Sequence, residues 1–140
     1  MKTMLKTVTL VSGFIFAFVF FTSSYTQAQT AKPWSIPDKY KAMKSTVKAG
    51  DKDAIADGKM LWAKFCKSCH GANGLGDGPK AAMLKTFPGD FSTAAFQKKS
   101  DGEIYYMSFV GRDEMPNYEK KITIEADRWA LVAYMRTMAK

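Results

Sequence analysis

The chain has 140 residues, a formal charge of +8 and two cysteines. That length allows one small domain with short extras, and two cysteines exclude a scaffold built on several disulfides. The lysines are spread over 32–67, 80–99 and 120–121 and form no single tract of the kind that grips nucleic acid. A basic surface of this kind either stays solvated or steers the chain toward an acidic partner, and net charge alone does not choose between them.

The first stretch does not belong to the fold. Lys2 and Lys6 precede an uncharged apolar run of 14 residues at 8–21, and a polar segment follows at 22–29. These are the three regions of a secretory signal peptide. The run is shorter than the roughly 20 residues of a membrane-spanning helix, so cleavage is expected over an uncleaved anchor. Ala28 is the expected last residue removed, with small Thr26 two places before it. No cysteine lies near the cut to carry a lipid, and no stable membrane anchor is expected. The expected organisation is a signal peptide at 1–28, an extension at 29–50 and one domain at 51–140, exported to the periplasm. Without Lys2 and Lys6 the charge falls to +6, and 112 residues remain. A core of that size is marginal without help.

In the extension, Pro33 and Pro37 break regular structure, and a short helix is expected at 38–46. Trp34, Ile36, Tyr40 and Met43 are expected to clamp onto the domain surface. Residues 53–69 form an amphipathic helix by spacing, with Ile55, Gly58, Leu61, Trp62, Phe65, Cys66 and Cys69 on one stripe. Gly58 costs helix stability in isolation; on the buried stripe it is expected to admit another helix closely.

That helix runs into Cys66-Lys67-Ser68-Cys69-His70, which holds both cysteines and the chain's one histidine. Two thiols three residues apart, followed at once by an imidazole, are the attachment signature of a c-type haem. The thiols add to the two vinyl groups of one porphyrin edge, and the imidazole is left to bind the iron. Zinc would lack a fourth ligand. A thioredoxin-like dithiol would need a βαβ pattern, and a structural disulfide would leave His70 unexplained. One covalently bound haem c per chain also answers the marginal core.

Residues 71–79 are a glycine-rich loop. A phosphate cradle there would need a preceding strand, and the preceding element is helical. A short helix is expected at 80–85 and a turn at 87–91. Ser100-Asp101-Gly102-Glu103 fits a capping box for a helix that stops at Gly111. Arg112 to Tyr118 is a polar loop. The last helix is expected over 124–139, with Leu131, Tyr134, Met135 and Met138 as its buried stripe and Trp129 or Val132 flanking. No strand alternation is visible, so the fold class is all-α, about four short helices around one haem.

His70 fills one axial position of the iron, and with no second histidine a thioether, a lysine amine or an open site remains for the other. The candidate methionines are Met43, Met60, Met83, Met107, Met115, Met135 and Met138. Methionine is more often core filler. Met115 stands apart because it lies in a loop and Pro116 holds it extended, which stiffens the loop that would present its sulfur. It is the first candidate, with Met107 second.

Taken together, these motifs resemble class I cytochromes c over about 55–139. The resemblance implies that Gly58 and Trp62 cross the last helix at Leu131 and Tyr134. It also implies that the Pro79 carbonyl accepts a hydrogen bond from His70 Nδ1–H. Further, it implies electron transfer by a monohaem protein with His70 and Met115 as axial ligands, and so no enzyme. The partners would be redox proteins, with lysines around the haem edge meeting an acidic docking surface. The chain would act as a monomer or a dissociable subunit. The alternatives are a haem subunit of a larger oxidase or dehydrogenase complex and a peroxidase-type enzyme. The peroxidase would need a distal acid/base for which no histidine is left.

Overall fold

A computed structural model describes residues 33–140; the signal peptide expected at 1–28 lies outside the described residues. The helices are α1 (Asp38–Lys41), α2 (Lys52–Phe65), α3 (Lys67–His70), α4 (Ala94–Gln97), α5 (Asp101–Phe109) and α6 (Glu125–Arg136), with a 3₁₀ turn at Ala81–Met83. The described residues contain no strand, only one isolated bridge between Arg112 and Met115. The fold is all-α, as the patterning implied.

The frame is the crossing of α2 and α6, the most extensive contact between any two elements. Gly58 makes it possible. A methyl group there would strike the Ala130 carbonyl and come within 2.8 Å of Tyr134 Cβ. The glycine therefore meets Ala130 and Tyr134, one position from the expected Leu131. Trp62 is buried one turn later and donates its indole N–H to the Gly71 carbonyl at 3.0 Å. That bond fixes where the chain leaves the haem motif.

Asp51 starts α2, its carboxylate accepting from the amides of Asp53 and Ala54, both at 3.1 Å. The helix expected over 53–69 is interrupted at Cys66, where φ widens to −114° before α3 resumes the turn. Gly71, at φ 82°, ends it.

The capping box of α5 is present in both halves. Ser100 Oγ accepts from the Glu103 amide at 3.2 Å, and the Glu103 carboxylate accepts from the Ser100 amide at 2.7 Å. Ser100 Oγ also donates to the Lys41 carbonyl at 3.2 Å. Ser100→Ala should therefore lower unfolding free energy by about 1 kcal/mol, read as a shift of the urea midpoint at constant slope. No shift would mean that water replaces the cap without loss.

Helix α6 is three residues shorter than its expected end, because Thr137 turns back and donates its hydroxyl to the Tyr134 carbonyl at 2.7 Å. Its buried residues are Trp129, Ala130, Leu131, Val132 and Met135, while Tyr134 and Met138 are only half-buried. The stripe is wider than expected because α2 and α5 both pack on this helix. Arg136 ties its end to the rest. It donates to Asp101 Oδ1 at 2.7 and 2.9 Å and to the carbonyls of Gln97 and Lys99 at 2.8 and 2.6 Å.

The helix expected at 80–85 is only the 3₁₀ turn, and that expected at 38–46 is the single turn of α1. Helix α4 was not expected; Thr93 caps it through the Phe96 amide at 3.3 Å.

Candidate haem site

Between α3, α5 and the loops at 84–91 and 111–118 lies a cavity of about 600 Å³, a size typical of cofactor pockets. Phe65, Phe91, Phe96 and Ile104 supply apolar wall, and Cys66, Cys69, His70, Met107 and Met115 all line the same space. Neither cysteine is in a disulfide. Burial, and secondarily the neighbouring Cys69, pushes the Cys66 thiol up to about 12. The thiol therefore stays protonated in neutral solution and is a poor free nucleophile.

His70 is buried against Phe91 and Trp62, with ring centroids 4.8 and 5.7 Å away. Burial lowers its pKa to about 4; the backbone at Pro88 works the other way and does not offset it. The imidazole is thus held neutral, the form that binds metal. Its Nδ1 is buried without a hydrogen-bond partner, which is uncommon for a buried polar atom. A neutral imidazole, two thiols and a thioether on the wall of one apolar cavity fit a covalently attached haem.

The bond expected from His70 Nδ1 to the Pro79 carbonyl is not made. The loop lies across the back of the motif through other groups. The amides of Gly76, Gly78 and Lys80 donate to the carbonyls of His70, Cys69 and Ser68 at 2.9, 3.2 and 2.8 Å. Gly78 has no room for a side chain there, since a Cβ would lie 2.5 Å from the Ser68 carbonyl. Pro79 stays exposed between these anchors.

Of the candidate methionines, Met107 and Met115 line the cavity. Met60 and Met83 are 65% and 80% exposed, and Met135 is filler in the core. Met138 packs on Gly74 and Met43 on Gly102. Lys99 is a lysine on the cavity wall.

The Met115 loop is pinned from several sides. The backbones of Arg112 and Met115 exchange hydrogen bonds at 2.8 and 2.9 Å, closing a turn through Asp113 at φ 48°. The Glu114 carboxylate accepts from the amides of Lys85 and Thr86 at 2.9–3.0 Å, stitching this loop to the other one at the cavity. Tyr118 donates its hydroxyl to the Phe65 carbonyl at 3.0 Å. Sequence reasoning missed Glu114, because an acidic residue in a polar loop gives no sign of a partner 28 residues away. It also missed that Pro33, Trp34 and Ile36 reach the cavity wall.

The helical frame and this donor set together define a small domain built to hold haem c. The chain belongs to the cytochrome c family, whose model matches residues 55–139. No curated protein matches the chain. A solved structure from Kuenenia stuttgartiensis, the reducing HAO-like protein complex Kustc0457/Kustc0458, contains a similar chain. It shares 26% identity with a TM-score of 0.58, over 74% of this chain and 54% of that one. This chain therefore accounts for about half the length of that relative. Covalently bound haem c follows from the family.

Proposed function

We propose that the protein is an exported single-electron carrier in which one haem c, joined to Cys66 and Cys69, has His70 and Met115 as axial ligands. The observation that carries this reading is the convergence of His70 and Met115 on one apolar cavity from separate parts of the chain. When bound, the haem supplies a ferric/ferrous couple. The protein's own residues hold the imidazole neutral, bring a thioether from a pinned loop and wall the site with aromatic rings. Sulfur ligation and an apolar wall both favour the ferrous form. Held by both His70 and Met115, the iron would have no open position for a substrate, which supports a carrier over an enzyme.

The signal-peptide pattern at 1–28 supports export to the periplasm. The charge of +6 on the remaining chain supports an acidic docking surface on the redox partner. A second reading, a haem subunit of a larger complex, is favoured by the similar chain's place in a complex.

Redox titration of the purified holoprotein is expected to follow a one-electron curve, with negligible turnover of hydrogen peroxide. Rapid peroxide turnover would overturn the carrier reading in favour of an enzyme. Co-purification with larger polypeptides in fixed ratio would replace the free carrier with the subunit.

A further inference from the structure

The family match begins at residue 55, yet the cavity wall includes Pro33, Trp34 and Ile36 from well before it. Ile36 is only 8% exposed. The segment is fastened along α5. Trp34 and Tyr40 meet Tyr106 edge-on at 6.3 and 4.7 Å, and Gly102 leaves room for Met43 and the Tyr40 carbonyl, which a side chain would strike.

The front of this strap is held by Arg112. Its Nη1 donates to the Pro33 carbonyl at 2.6 Å, and its guanidinium lies over the Trp34 ring, 4.0 Å from the centroid. Hydrogen bonding and stacking together use the flat, forked shape of arginine, which lysine does not reproduce. Asp113, at 3.9 Å, is a weaker neighbour. The backbone of the same arginine exchanges both of its hydrogen bonds with Met115. One residue therefore grips the strap with its side chain and the candidate ligand with its main chain.

We infer that Arg112 is a positioning residue for the Met115 thioether, and that the strap at 33–36 closes the Met115 side of the haem cavity against water and competing ligands. This rests on the axial ligation proposed above. Loosening the strap frees the turn at 112–115 and opens a path to the iron, so displacement of the sulfur becomes easier.

The test is imidazole binding to the ferric holoprotein, followed spectroscopically in wild type, Arg112→Gln, Arg112→Lys and Trp34→Ala. Losing a charge-assisted hydrogen bond or the stacked ring is expected to tighten apparent imidazole binding about tenfold. Arg112→Lys should fall between wild type and Arg112→Gln, and the midpoint potential should drop in the same order. Trp34→Ala keeps the test decisive if Arg112→Gln does not fold. Imidazole affinities within about twofold of wild type in the folded variants, well under the expected change, would overturn the inference. The ligation reading is judged separately, by whether the weak sulfur band at the red end of the wild-type ferric spectrum disappears in Met115→Ala. If it does not, the strap is judged by imidazole association in the wild-type background. Adding Trp34→Ala should speed association there, and an unchanged rate would overturn the strap's role.

Discussion

Gly58→Leu is expected to yield no folded holoprotein, and Gly58→Ala to lower the melting temperature by roughly 10 °C. The obstacle is backbone, since even a methyl group would fall on the Ala130 carbonyl, which cannot swing aside like a flexible side chain. To admit it, α2 and α6 must separate, and Trp62, Leu131 and Val132 lose close packing together. Overpacking of this kind costs about 3 kcal/mol. Alanine returns about 1 kcal/mol through its better helix propensity, leaving a net loss of about 2 kcal/mol. Leucine adds a whole side chain to the same clash, enough to consume much of the roughly 5–15 kcal/mol by which domains of this kind are stable. Thermal denaturation followed by helical circular dichroism measures the alanine variant. An unchanged or raised melting temperature would mean that the helices can part at little cost.

Features with a local signature are legible in the amino-acid sequence alone. The Cys66–His70 spacing, the Ser100–Glu103 box and the close approach at Gly58 each follow from a short run of residues and the backbone groups beside it. The bounds of α6 are less legible, because Thr137 ends the helix by bonding its own preceding turn rather than through a glycine. Helix α4 escapes a reading of the pattern because four residues give no periodicity, and Thr93 alone is an ambiguous cap. Arg136 and Glu114 act across sequence separations of 35 and 28 residues or more, which no local pattern encodes. Trp34 and Ile36 are legible as packing residues, but not as cavity wall. That distinction depends on Arg112, 79 residues from Pro33.

Met115→Ala is expected to remove the weak sulfur band from the ferric spectrum and lower the midpoint potential by at least about a tenth of the roughly 0.8 V over which axial ligation sets haem potentials. The direction follows from sulfur's preference for ferrous iron. An alanine leaves that position to water or to a nitrogen donor, and both favour the ferric form relative to sulfur. The loop should survive the change. Its backbone turn to Arg112, the Glu114 stitch to Lys85 and Thr86, and the Tyr118 bond to Phe65 do not involve the Met115 side chain. Unfolding by urea should therefore shift little beyond the loss of one half-buried side chain, while spectrum and potential shift strongly. Met107→Ala is the matched control, since Met107 lines the same cavity but lies within α5. It should lose packing and keep the band. If the band survives in Met115→Ala and disappears in Met107→Ala, the sixth ligand is on the helix, and the pinned loop at 111–118 serves only to close the cavity.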